Sequence, residues 1–269
     1  MIAALANAAA VFERPAWAEA AIAAFAFVTD KLCPNGTLMH GYRQGQSKHR
    51  ALLDDYANMA RAALMLHEIH GGERYLQQAR AWVATVEGQF ADAERGGYYF
   101  SSAQATDVIA RMRHANDNAV PSGNGVMVGV LTRLWLLTGD GAYGQRAEAV
   151  ARSFSAQMSN QALAMTTLLN NVEFMLQPLQ IVIMGERGDE TVKAMLSVVH
   201  SLALPNKVLQ VLTPGQTLPA GHPATGMAQP DGRATAYVCR GQTCSLPQTE
   251  ATDLRSALSM AATTFSPGP

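Results

Sequence analysis

Along the first 178 residues, apolar side chains recur at i, i+3, i+4 and i+7, the period at which a helix turns one face to a core. Tyr56, Met59, Ala60, Ala63 and Leu64 form one such stripe, and Leu76, Ala79, Val83 and Val86 form another. The pattern predicts helices over about 2–12, 15–32, 54–70, 73–90, 121–138, 142–157 and 161–176. Their ends carry matching chemistry: Pro15 sits near a start, Gly71-Gly72 and Gly139 follow finishes, and Asp54 and Asp140 precede apolar runs. Beyond residue 178 the texture changes. Gln180 to Gly185 is a short apolar run closed by glycine, Glu190 to Leu202 is helical in pattern, and Val208 to Leu212 is a second run, which together read as β-α-β. Residues 213–233 are rich in Pro and Gly and read as a loop, Ala234 to Cys239 as a strand and Ala251 to Ala262 as a final helix. The expected division is a helical region over 1–178 and a small α/β subdomain over 179–269.

A repeat runs through the helical region. Gly71-Gly72-Glu73-Arg74-Tyr75 with Ala79 is echoed by Gly139-Asp140-Gly141-Ala142-Tyr143 with Ala147, and more faintly by Glu13-Arg14-Pro15-Ala16-Trp17 with Ala21. Each repeat holds two helices joined by a tight turn and followed by a longer polar link. Helical hairpins at this period stack as a solenoid or close as an α/α toroid. Alternation of short and long links favours the toroid, whose long links cross one rim.

Composition narrows the function classes. The 269 residues carry 20 basic and 21 acidic side chains, a net charge of −1, so no excess of cations is available for a polyanion and nucleic acid is not an expected partner. No apolar run reaches the roughly 20 residues of a membrane helix, and Met1 to Ala10 lacks the basic start of a signal peptide. With three cysteines, an odd count, reduced thiols and a cytoplasmic location are expected.

The densest polar stretch runs from Arg111 to Gly125, just before and within the first turn of the helix expected from 121. A capped helix start, with Pro121 in its first position and Asn118 capping, would use one or two of these groups. The remainder are candidates to meet a ligand. Asp54-Asp55-Tyr56 opens another helix, and in a toroid such starts converge on one funnel, where Asp55 and Asp117 would form an acid and base pair. Tyr56, Arg113, His114, Asn116, Ser122 and Asn124 are the candidates to hold substrate hydroxyls. His67-Glu68-Ile69-His70 spaces its histidines by three, not the four of zinc proteases, and reads as a helix end. Cys239 and Cys244 are separated by four residues, so plain packing leads, ahead of redox pairing and of metal binding. No metal or cofactor is expected.

Leu53 to Ala57, Gly96-Gly97-Tyr98-Tyr99-Phe100, Asp117 to Asn124, Leu204-Pro205-Asn206-Lys207 and Ala236 to Arg240 with Cys244 and Pro247 occur in that order. In these motifs the chain resembles the C-terminal part of the thioredoxin-domain family related to spermatogenesis-associated proteins. The resemblance implies an N-terminal thioredoxin-like domain in the family, absent from this chain, followed by a six-hairpin α/α toroid similar to glycosidases and to N-acylglucosamine 2-epimerase. By the same resemblance Met1 falls in the middle of the toroid, so the expected fold is mainly α: an incomplete toroid with a C-terminal α/β appendage. Its open edge would expose apolar flanks that a second copy covers. The expected function is a sugar epimerase, isomerase or glycosidase-like enzyme, the alternative a non-catalytic module that accompanies a thioredoxin-like domain.

Overall fold

A computed structural model describes the chain except at residues 107, 217, 219–221, 223, 242 and 264–269. Among the described residues, ten α-helices and two small sheets make the protein mainly helical, and no helix is long and apolar enough to cross a membrane. Two units emerge: Met1–Trp135 with Gly141–Met175, and Leu136–Asp140 with Leu176–Pro269.

In the first unit, α1 (Ile2–Val11) and α2 (Pro15–Lys31) pack as a pair, with Pro15 in the first turn of α2. α3 (Leu53–His70) is buried on most of its circumference, because Ala57, Ala60, Ala62 and Ala63 let neighbouring helices close in without loss of helix propensity. α4 (Glu73–Phe90) lies along it and buries the stripe Tyr75, Leu76, Ala79, Trp82, Val83, Val86 and Phe90. Gly71, at φ 78°, ends α3 in the left-handed region that glycine enters freely. The repeat shows in the burial: Tyr75 and Tyr143 are both buried above the fully buried Ala79 and Ala147. Its faint first copy differs, since Ala21 is buried but Trp17 is 41% exposed.

Between α2 and α3 the polar link contains a hairpin that the hydrophobic pattern does not predict, β1 (Met39–Arg43) and β2 (Gln46–Arg50). Gln44 and Gly45 both adopt positive φ at its turn, as tight hairpins require. The Met39 N–H donates to Leu32 O, which ties the hairpin to the end of α2, and the Ala51 N–H donates to Leu38 O, which closes the hairpin's base.

α5 (Gly123–Thr138) begins later than expected, and Pro121 is left outside it. Ser122 takes the cap: its carbonyl accepts from the Val126 N–H and its hydroxyl from the Gly125 N–H. The single helix expected over 142–157 is two, α6 (Gly141–Ser153) and α7 (Ser155–Asn160), broken at Phe154. The Phe154 ring is buried beneath the guanidinium of Arg113, 4.7 Å from its centroid, and this anchoring competes with continuous helix. After a 3-10 turn over Ala162–Met165 comes α8 (Thr166–Leu176).

The second unit is built on a four-stranded sheet, in the order β4-β3-β5-β6. β3 (Leu179–Met184) and β4 (Lys207–Leu212) are parallel and joined through α9 (Glu190–Ser201), the expected β-α-β. β5 (Thr235–Arg240) runs antiparallel to β3, and the two-residue β6 (Thr243–Cys244) antiparallel to β5. α9 and α10 (Ala251–Thr263) cover one face, with Met195, Val199, Leu254 and Leu258 over Ile181, Ile183 and Leu209. Val182 and Leu212 face the other side, against Ala224. The loop expected over 213–233 lies partly outside the described residues and includes a 3-10 turn at Pro230–Gly232.

One expectation is corrected in this unit. Cys239 and Cys244 form a disulfide, where plain packing of reduced thiols was expected. They are directly paired across the β5–β6 ladder, a juxtaposition that the linear spacing does not display. Cys33 is the free thiol, and burial pushes its pKa up.

Candidate functional site

The start of α3 borders a cavity of 480 Å³. Val28 and Leu32 of α2, with Leu38, Met39 and Phe100, give it apolar walls, while His40, Asp54, Asp55 and Asn58 bring polar groups to it. The Asp55 carboxylate does two things. Its Oδ2 accepts the Leu52 N–H at 2.8 Å, which satisfies a backbone donor at the helix start, and lies 2.8 Å from His40 Nδ1. A carboxylate only accepts, so Nδ1 is the donor in this pair, and Nε2, the other ring nitrogen, is not part of it. His40 stays half exposed, at 54% of its side chain, and is open to a ligand.

Asp54 is different in kind. Its Oδ1 accepts the Gly123 N–H at 2.7 Å, which links α3 to the first turn of α5. Burial pushes its pKa up and the charge of Asp55 adds to the rise, against the Gly123 N–H and His114, which lower it. Gly123 is required here, because a Cβ would stand 2.5 Å from Asp54 Oδ1 and 2.6 Å from Leu53 Cγ.

The polar stretch before α5 is a hydrogen-bonded knot. Asp117 Oδ1 accepts the Ser122 N–H, and its Oδ2 accepts the Thr167 N–H and the Thr166 hydroxyl, so one carboxylate ties the starts of α5 and α8. Burial raises its pKa, but these donors outweigh that and hold it below the usual carboxylate range. Asn124 is buried and uses three bonds, accepting the Tyr98 N–H and donating to the carbonyls of Tyr98 and His114. The Ser122 hydroxyl donates to Ala115 O. Arg113 donates to Gly96 O, lies 3.7 Å from Asp92 Oδ2 and stacks on Phe154.

Of the residues singled out in the sequence, Asp55 lines the cavity. Tyr56 points elsewhere: its hydroxyl accepts the Leu38 N–H and its ring meets Phe90 edge-on. His114 rests against Phe100, a wall residue, with centroids 5.2 Å apart. Asn116 is exposed and donates to the Gln161 side chain, and Asp117, Ser122, Asn124 and Arg113 are engaged in the knot. Asp117 is not among the residues that line the cavity with Asp55. The unforeseen members are His40 and Asn58, together with Asp54, which its position marks first as a helix-start residue. Only the hairpin register brings His40 to the site, and that register is not visible in so polar a segment. Among the described residues there is no group of three or more His, Cys, Asp or Glu side chains that could hold a metal ion.

No protein-family model matches the chain. Among curated proteins, human spermatogenesis-associated protein 20 is 32% identical over 230 residues, which cover 84% of this chain and 29% of that protein. The chain is homologous to spermatogenesis-associated protein 20. The rat and mouse forms of that protein are 33% and 32% identical over 211 residues, covering 77% of the chain and 27% of each relative. The chain thus spans less than a third of the length of these relatives.

Proposed function

We propose that the cavity at the start of α3 is a proton-exchange site for a hydroxylated small molecule, of the sugar epimerase or isomerase type. The observation that carries this is the His40–Asp55 pair, 2.8 Å apart at the wall of a cavity to which Asp54 also contributes. His40 Nε2 is the base, taking a proton from a carbon next to a carbonyl. Asp55, bonded to Nδ1, orients the ring so that Nε2 can accept the proton. Asp54, whose pKa burial raises, is the group suited to donate a proton to the carbonyl oxygen as the enediol forms. Asp54, now a carboxylate, then takes the proton of the other enediol hydroxyl while His40 returns its proton to the neighbouring carbon, which completes an isomerisation. Delivery of a proton to the opposite face of the original carbon would instead give the epimer. In this proposal Asp54 stands where Asp117 was expected, and Asp117 is an anchor. The motif resemblance supports a sugar as substrate.

Incubation with a panel of aldoses and ketoses in D2O, followed by NMR, tests this. Solvent deuterium should enter one substrate, and His40→Gln should lower the rate about 100-fold or more. Exchange that is unchanged in His40→Gln and Asp54→Asn removes these residues from the chemistry.

The disulfide favours a second proposal, a module that accompanies a thioredoxin-like domain. Cys244 is exposed whereas Cys239 is buried, so a thiolate of the partner would attack the Cys244 sulfur and release the Cys239 thiolate. The partner's second thiol then completes the two-electron transfer. Mass spectrometry after mixing with a reduced thioredoxin should show loss of the bond; a persistent disulfide counts against it.

A further inference from the structure

A second cavity of the helical unit, of 260 Å³, shares no lining residue with the first. Arg61 of α3, Gly129 and Arg133 of α5, and Thr167, Asn170 and Asn171 of α8 are among its walls. Local propensity opposes several of these. A glycine inside α5 and two consecutive asparagines inside α8 each weaken their helix, so packing or ligand contact must explain them.

Packing explains part of the arrangement. A Cβ on Gly129 would come 2.0 Å from Asn171 Oδ1, so the missing side chain is what admits the asparagine amide between the helices. Asn171 Nδ2 donates to Thr167 O at 2.9 Å, which uses one of its two N–H groups. One turn beyond Gly129, Arg133 lays its guanidinium over the Phe174 ring, 4.4 Å from the centroid. Burial lowers the pKa of Arg133, the charge of Arg61 acts in the same direction, and Glu68 opposes them. The charges of Arg61 and Arg133 therefore oppose each other here, with Glu68 compensating in part.

We propose that this cavity binds a small oxyanion group, a phosphate monoester or a carboxylate, between Arg61 and Arg133, with amide N–H groups of Asn170 and Asn171 completing the shell. Arginine suits the task because its planar array of donors matches phosphate and carboxylate oxygens in pairs. An anion here relieves the repulsion between two like charges and gives the helix-weakening asparagines a ligand. The inference does not depend on proton exchange at His40.

Calorimetric titration of the full chain with inorganic phosphate, and separately with acetate, at constant ionic strength set by chloride, tests the proposal. Saturable binding to one site is expected, tighter for phosphate if a phosphate monoester is the natural group and tighter for acetate if a carboxylate is. Arg61→Gln, an exposed position whose change the fold tolerates, should weaken binding about tenfold or more, the usual loss for a charge-assisted hydrogen bond. Arg133→Lys should also weaken it, since a lysine keeps the charge but not the paired donors. Arg152→Gln, which removes an exposed charge paired with Glu148 elsewhere in the unit, should leave it unchanged. Absence of saturable binding to either anion, wild-type affinity in Arg61→Gln, or an equal loss in Arg152→Gln overturns the proposal.

Discussion

The starts of α3 and α5 look alike in sequence, each a polar cluster entering an apolar helix, yet the folded chain uses them in opposite ways. At α5 the polar groups are spent on the protein itself, with Asp117, Ser122 and Asn124 bonded to backbone groups on both sides of the helix start. At α3 the Asp55 carboxylate caps its own helix and still meets an exposed histidine at a cavity. Density of polar residues therefore marks the place where backbone needs partners. Chemistry is marked by an acceptor with bonding capacity to spare beside open space.

The contrast can be broken by substitution. The largest effect is expected from Asn124→Ala, which leaves a buried N–H and two carbonyls without their partner and should cost about 3 kcal/mol in chemical denaturation. Asp117→Ala, which unties α5 from α8, should follow at about 2 kcal/mol. His40→Gln should change stability by less than about 1 kcal/mol, as loss of an exposed side-chain pair does, while lowering any exchange rate about 100-fold or more. A large loss of stability in His40→Gln, or none in Asn124→Ala, would reverse the assignment of the two regions.

Acid titration sharpens the same contrast, because the two carboxylates have opposite signs. Asp117 has a lowered folded pKa, so its stabilisation is present above the unfolded value and is lost as pH falls through the folded one. Asp54 has a raised folded pKa; its contribution is full below the unfolded value and is lost as pH rises through the folded one. Unfolding free energy measured from pH 7 to pH 3 should therefore fall less steeply in Asp117→Asn than in the wild type. In Asp54→Asn it should fall slightly more steeply, the smallest of the effects.

Much of the helical body is legible in the sequence because its signal is local. The stripes on α3 and α4, the glycines that end α3 and α5, and the paired Tyr75–Ala79 and Tyr143–Ala147 follow from periodicity and capping. The features that escape depend on partners distant in the chain. Phe154 stands at the break between α6 and α7, and the Arg113 that covers its ring comes from a distant link. The β1–β2 hairpin turns at Gln44-Gly45, without the Asn or Asp that usually announces such a turn, and its strands expose most of their side chains. The Cys239–Cys244 bond needs the β5–β6 register. Asp55 was visible as an acid at a helix start, but its partner His40 becomes one only after that hairpin folds back on α2.

Asn124 has a consequence for how the unit breathes. By taking both the N–H and the C=O of Tyr98, its amide imitates the rung that a neighbouring strand would supply, in a segment, 91–122, whose described residues form only the isolated bridge Ala91–Tyr98. Such a splice cannot let go at one end alone. The amides of Tyr98, Ser122, Gly123 and Thr167, each held by Asn124, Asp117 or Asp54, should exchange with solvent at one common rate, set by a single opening that frees the loop and both helix starts together.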